Sequence, residues 1–121
     1  MQNIPPNVQQ EITQFQQMEQ QYQMIATQLQ SIATELNEIE VTLEELKDVT
    51  DPLVYKSVGS VLFKRDRNDV EKELEERKET LTLRKTTLER QDARLREKIQ
   101  ESQKKIQEML GKGMSASPKG N

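Results

Sequence analysis

Apolar residues in the first half of the chain fall at Phe15, Met18, Tyr22, Ile25, Leu29, Ile32, Leu36, Ile39, Leu43 and Leu46. The steps alternate three and four without a miss. That is the a/d seam of a coiled coil rather than the wider stripe of a helix in a globular core. Further along, Leu74, Leu81, Leu88 and Leu95 recur every seven residues. The two rows mirror each other, pairing Leu43 with Leu74, Leu36 with Leu81, Leu29 with Leu88 and Tyr22 with Leu95 about a point between Val58 and Gly59. The pattern predicts an antiparallel two-helix coiled coil, mainly α, with an insert at its closed end.

The insert, Leu53-Val54-Tyr55-Lys56-Ser57-Val58-Gly59-Ser60-Val61-Leu62-Phe63-Lys64-Arg65, is rich in β-branched and aromatic residues and centred on a glycine. It predicts a β-hairpin over about residues 52–65. Val58 suits poorly the positive φ of a type I′ turn, so a type II turn with Gly59 third, or a slightly longer loop, is expected. The first helix is expected over about residues 6–48, since prolines fit a first helical turn and Asp51-Pro52 disfavours continuation. About 40 residues at 1.5 Å each make an arm of roughly 60 Å. The second helix is expected over about residues 67–110, capped by Asp66 or Asn68 with Asp69 or Glu71 three residues on. Gly111 and Gly113 are expected to break it, leaving residues 111–121 as a small, polar, disordered tail. The whole chain, 1–121, reads as a single domain.

Between the leucine layers the register sets Ile25 against Asp92, Ile32 against Lys85, Ile39 against Lys78 and Leu46 against Glu71. Long charged side chains can lie along such a seam and keep their heads in water, but the core is thin. A lone hairpin of this type needs partners. Leu53, Val54, Tyr55, Val61, Leu62 and Phe63 offer apolar side chains on both faces of a two-stranded sheet with open edges. That points to an oligomerisation sheet joining several coiled coils, or to a sticky linker packed onto its own helices.

The free end differs. Beyond Tyr22 and Leu95 the seam is expected to lose order, because a d position is Glu11 and Ser102 faces Phe15. Apolar residues persist off-register: Ile4, Val8, Ile12, Phe15, Met18 and Met24 on one helix, Ile99, Ile106, Met109 and Leu110 on the other. Flexible Met and Ile side chains at a frayed tip can adapt to varied apolar surfaces. The same residues can also close the last turns of the coiled coil, and the two readings are compatible.

Composition leaves little room for other classes. With 32% charged and 32% hydrophobic residues, the chain is too polar for an ordinary packed globule, and its periodicity argues for helix over disorder. The lack of cysteine removes disulfides and thiolate metal sites, which fits a reducing compartment. No apolar run approaches the roughly 18 residues of a membrane span, and no secretory leader is read at the start, so a cytoplasmic protein is expected. Residues 1–34 carry two charges, Glu11 and Glu19, and many glutamines, while 35–51 carry seven acids against one lysine. Residues 70–110 mix ten acids with eleven bases and contain no aromatic residue, which suits a solvated helix face and not a nucleic-acid surface. Without histidine, cysteine or a glycine-rich phosphate loop, neither an enzyme, a metal site nor a cofactor is expected.

Three segments carry a resemblance over nearly the whole chain: IPPNVQQEITQFQQMEQQ, VYKSVGSVLFKRD and VEKELEERKETLTLRKTTLERQDARLREKIQE. They look like the archaeal prefoldin β subunit, the hairpin segment being the most specific. The resemblance implies six subunits, two α and four β, joined by their hairpins into a β-barrel platform from which the coiled coils project. Their tips would hold unfolded proteins without ATP and pass them to a group II chaperonin. It further implies that Tyr55, Val58, Gly59, Val61, Leu62 and Phe63 are platform residues and that the apolar tip residues contact clients. The rival is a structural spacer or tethering coiled coil that binds one specific folded partner.

Overall fold

The structure, a computed structural model, describes the backbone of residues 4–116 and the side chains of residues 4–111. The elements are α1 (Pro6–Leu46), β1 (Leu53–Val58), β2 (Val61–Asp66) and α2 (Arg67–Ala116). None of the described helices is long and apolar enough to cross a membrane. The chain divides into two compact units, one formed by Leu29–Thr87 and the other by residues 1–28 with Leu88–Asn121.

In the Leu29–Thr87 unit, the later part of α1 meets the earlier part of α2, with the hairpin between them in sequence. Ile32, Ile39, Leu46 and Leu81 are buried, whereas Leu36, Leu43 and Leu74 are half-buried. So α1 is buried most where charged residues were expected opposite. Lys78 shows why, with its half-buried stem on the seam and its ammonium 3.9 Å from the Glu40 carboxylate. Lys85 is exposed and gives no such cover.

Helix α1 ends without a glycine. Lys47, Asp48 and Val49 donate to the carbonyls three residues back, at 3.3, 3.2 and 3.1 Å, tightening the last turn. The guanidinium of Arg67 then donates through Nε and Nη2 to the Leu46 carbonyl, while its Nη1 holds Glu71 at 2.7 Å. A cation on the last carbonyls of a helix meets both their hydrogen-bond demand and the negative end of the dipole. At the other side of the hairpin base, the Arg67 amide donates to the Pro52 carbonyl at 2.8 Å. Asp66 caps α2, its carboxylate accepting from the amides of Asn68 and Asp69 at 2.9 and 3.3 Å.

The hairpin turn differs from expectation. Val58 pairs with Val61, so the loop has two residues, Gly59 and Ser60, and the fold-back point falls between them, one residue later than the leucine rows suggest. Gly59 sits first in the loop with φ +60°, and no described non-glycine residue has positive φ. That is the II′ arrangement, whose twist matches the strands, not a type II turn with Gly59 third. The leucine rows alone could not locate the turn to the residue.

The unit formed by residues 1–28 and 88–121 pairs the start of α1 with the end of α2. Pro6 opens α1, and the Pro5 carbonyl accepts from Val8 and Gln9, both at 3.0 Å. The seam does not lose order here. Val8, Glu11, Phe15, Met18, Tyr22 and Ile25 continue the alternation of three and four and are all buried or half-buried, as are Leu88, Asp92, Leu95, Ile99, Ser102, Ile106 and Met109 on α2. Glu11 and Ser102 bond to each other instead of breaking the seam. Helix α2 also runs past its expected end at residue 110 to Ala116, so residues 111–116 are helical rather than a disordered tail. Glycine weakens a helix by about 1 kcal/mol relative to alanine, yet keeps its hydrogen bonds. Gly111 lacks the positive φ that would end one. The rest of the expected tail, 117–121, lies outside the described residues.

Candidate functional site

Two surfaces carry the residues expected to act. The first is the hairpin. Its register sets Leu53 opposite Asp66, Tyr55 opposite Lys64 and Ser57 opposite Leu62, which places these six on one face. Val54, Lys56, Val58, Val61, Phe63 and Arg65 share the other. Each face thus mixes large apolar residues with charge. Tyr55 and Leu62 are each 66% exposed, and Leu53, Val58, Val61 and Phe63 are exposed as well. Val54 and Arg65 are the half-buried members, and both lie on the second face.

Glu73 of α2 anchors that second face. Its carboxylate holds the Arg65 guanidinium and lies 3.8 Å from the Lys56 ammonium, so a single acid contacts both strands. Arg65, the leading cause, together with Lys56 holds the Glu73 carboxyl below its ordinary range. The two strands pair only with each other, so each keeps one edge of backbone donors and acceptors open. Apolar residues on both faces and open edges together make a surface for other strands, one a two-stranded hairpin cannot satisfy alone.

The second surface is at the ends of the chain. Of the residues expected there, Ile4 and Leu110 are exposed, while Ile12, Phe15, Met18, Ile99, Ile106 and Met109 are half-buried along the seam. Val8 is 3% exposed, wholly within the seam. Ile12, Phe15 and Ile106 line one shallow groove, and Met109 lines a second beside Glu11 and Lys105. The apolar tip residues therefore form an ordered seam with accessible edges.

Sequence reasoning missed the polar layer that orders this end. The Ser102 hydroxyl, 4% exposed, donates to one Glu11 oxygen at 2.7 Å, and Lys105 lies 3.2 Å from the other. Ser102, first, and Lys105, second, hold the Glu11 carboxyl below its ordinary range. Glu11 and Ser102 both occupy seam positions, so the heptad contained the signal. Glu73 and Arg67 left no such trace, because their partners are set by the hairpin base and not by the seven-residue repeat.

The sequence profile of the family described as "Prefoldin subunit" matches residues 9–113. The chain is 60% identical to prefoldin subunit beta of Methanococcus vannielii over 81 residues, 67% of this chain and 72% of that one. It is 45% identical to prefoldin subunit beta of Archaeoglobus fulgidus over 85 residues, 69% and 73% of the two chains. The crystal structure of the prefoldin beta subunit from Thermococcus strain KS-1 superposes with a TM-score of 0.76 at 40% identity, covering 91% of this chain and 97% of that one. With a match across nearly all its length, the chain belongs to the prefoldin family, whose subunits are chaperones and not enzymes.

Proposed function

We propose that the chain is a β-type subunit of an ATP-independent holdase that binds unfolded proteins at its coiled-coil tips and delivers them to a group II chaperonin in the cytoplasm. The carrying observation is the hairpin: Leu53, Tyr55, Leu62 on one face and Val58, Val61, Phe63 on the other stay exposed in a single chain. Strand addition to both open edges would bury them and close the sheet into a barrel, which abolishes edges. Four such chains and two α-type subunits would form the platform, with Val54 and Gly59 completing the joint.

Client contact falls to Ile4 and Leu110, with the accessible edges of Ile12, Phe15, Met18, Ile99, Ile106 and Met109 beside them. Val8 supports the grip from inside the seam. Unbranched and flexible side chains among these suit clients of no fixed sequence. The test is aggregation of several unrelated denatured proteins, mixed with equimolar assembled complex and no nucleotide. Suppression for all of them is expected. Unchanged aggregation would sink the reading in favour of a spacer.

A further inference from the structure

The unit formed by the two ends of the chain has a groove along one edge of its seam, with a volume of about 410 Å³. Ile25 and Leu95 form an apolar floor, Met24 one wall, and Arg94 and Lys98 the other. Met24 is 62% exposed, a large apolar side chain with no seam position to fill. The remaining lining residues are glutamines; no carboxylate is among them.

This absence has a cause in the chain. In the hairpin-bearing unit, Arg77 of α2 meets Glu35 of α1, with bonds of 2.7 and 3.1 Å. Residues 6–34, within α1, offer only Glu11 and Glu19 as acids and are rich in glutamine. Glu11 is taken by Ser102 and Lys105, and Asp92, the acid of the adjacent seam layer, by Arg96 at 2.9 Å. Glu97 and Glu101 lie one turn along α2 but do not line the groove. Among the described residues, neither Arg94 nor Lys98 makes an ion pair within 4 Å.

We propose that this groove binds extended acidic–apolar peptide segments, with Arg94 and Lys98 pairing their carboxylates while Met24 and the Ile25–Leu95 floor take an apolar side chain. Arg94 and Lys98 are one helical turn apart, about 6 Å. That spacing matches carboxylates at alternate positions of an extended chain, about 6.6 Å apart. The proposal rests on the holdase reading for the source of such segments, which an unfolded protein exposes and a native one covers. It adds a charge preference to a grip otherwise indifferent to sequence.

The test uses the chain assembled with its partner subunits and two fluorescent peptides of equal leucine content, one with glutamates and one with lysines at alternate positions. Anisotropy is expected to show tighter binding of the glutamate peptide. R94E with K98E should weaken it about fivefold, the scale of two exposed ion pairs, and favour the lysine peptide instead. R94Q with K98Q should fall between, with mass and helical content unchanged in both variants. Equal affinity for the two peptides, or a glutamate-peptide affinity unmoved by the reversal, would overturn the proposal. Aggregation of a neutral apolar client is read in parallel. Its suppression by wild type and variants alike keeps the holdase reading whatever the peptides show, and its absence in wild type counts against that reading alone.

Discussion

Ser102 donates its hydroxyl proton to the Glu11 carboxylate at 2.7 Å across a sequence separation of 91 residues, inside a seam that is otherwise apolar at this level. A buried polar pair within a coiled-coil seam contributes less to stability than to register, because a slipped alignment strands each partner against hydrocarbon. Lys105 completes the layer on its wetter side. The end proposed to grip clients is thus held in one alignment by hydrogen bonds as well as by packing.

This layer should make part of the stability pH-dependent. Glu11 has its carboxyl lowered from an ordinary 4.5 by Ser102 and then Lys105, so its stabilisation is present above that value and lost as pH falls through the lowered one. Glu35, lowered by Arg77, and Glu73, lowered by Arg65, act in the same direction. Thermal melts between pH 7 and pH 3 should therefore show a falling Tm at the acid end, with a smaller fall in Glu11→Gln. Identical pH profiles for the two proteins would remove Glu11 from the account.

Arg67 should matter more than its single charge suggests. Arg67→Met leaves the Leu46 carbonyl with the Val49 amide alone as donor and Glu71 without its partner, where the arginine side chain is 18% exposed. A loss of about 1 kcal/mol is expected in urea unfolding, from the helix-end cation and its charge-assisted hydrogen bonds together. Arg67→Lys should recover little, since one ammonium cannot reproduce the fork that spans carbonyl and carboxylate. Full recovery by lysine would show that only charge is needed there.

Assembly should depend on side chains that stabilise nothing within the isolated chain. Leu62→Asp with Phe63→Asp changes exposed positions on both faces of β2, so helical content should hold while light scattering reports a lower mass. An unchanged mass would show that the hairpin is not the joint.

Gly59 isolates a backbone effect. A Cβ added there meets nothing within 4 Å, yet φ is +60°. Gly59→Val should therefore lose about 1–2 kcal/mol from conformation alone, and Gly59→Asn less, because asparagine tolerates this region better. Equal losses would point to a clash and not to φ.

Much of this was legible in the sequence because period is a long-range average. Every predicted a/d position from Phe15 to Leu46 is buried or half-buried, and the first helix ends within two residues of its expected limit. The errors are local. The turn moved by one residue because strand pairing, not the leucine rows, fixes it. Helix α2 passed Gly111 because glycine raises the free energy of a helix without removing a hydrogen bond. Glu11 and Ser102 look like breaks in the seam because hydropathy scores each alone, whereas their bond exists only when the two meet. The exposed hairpin residues were legible as apolar on both faces, but only the register shows which residues of the two strands share a face.

The antiparallel path through Gly59 also orders events in time. Val58 and Val61 meet across a two-residue loop, whereas Glu11 and Ser102 must close one of about 90 residues unless the turns between zip up first. Closing a long loop directly is entropically uphill and slow, so folding should start at the hairpin and run outward layer by layer. The last layer to close is then also the first to reopen, and amide exchange should be fastest near residues 5–12 and 102–110. The least committed turns would thereby lie at the end proposed to grip clients.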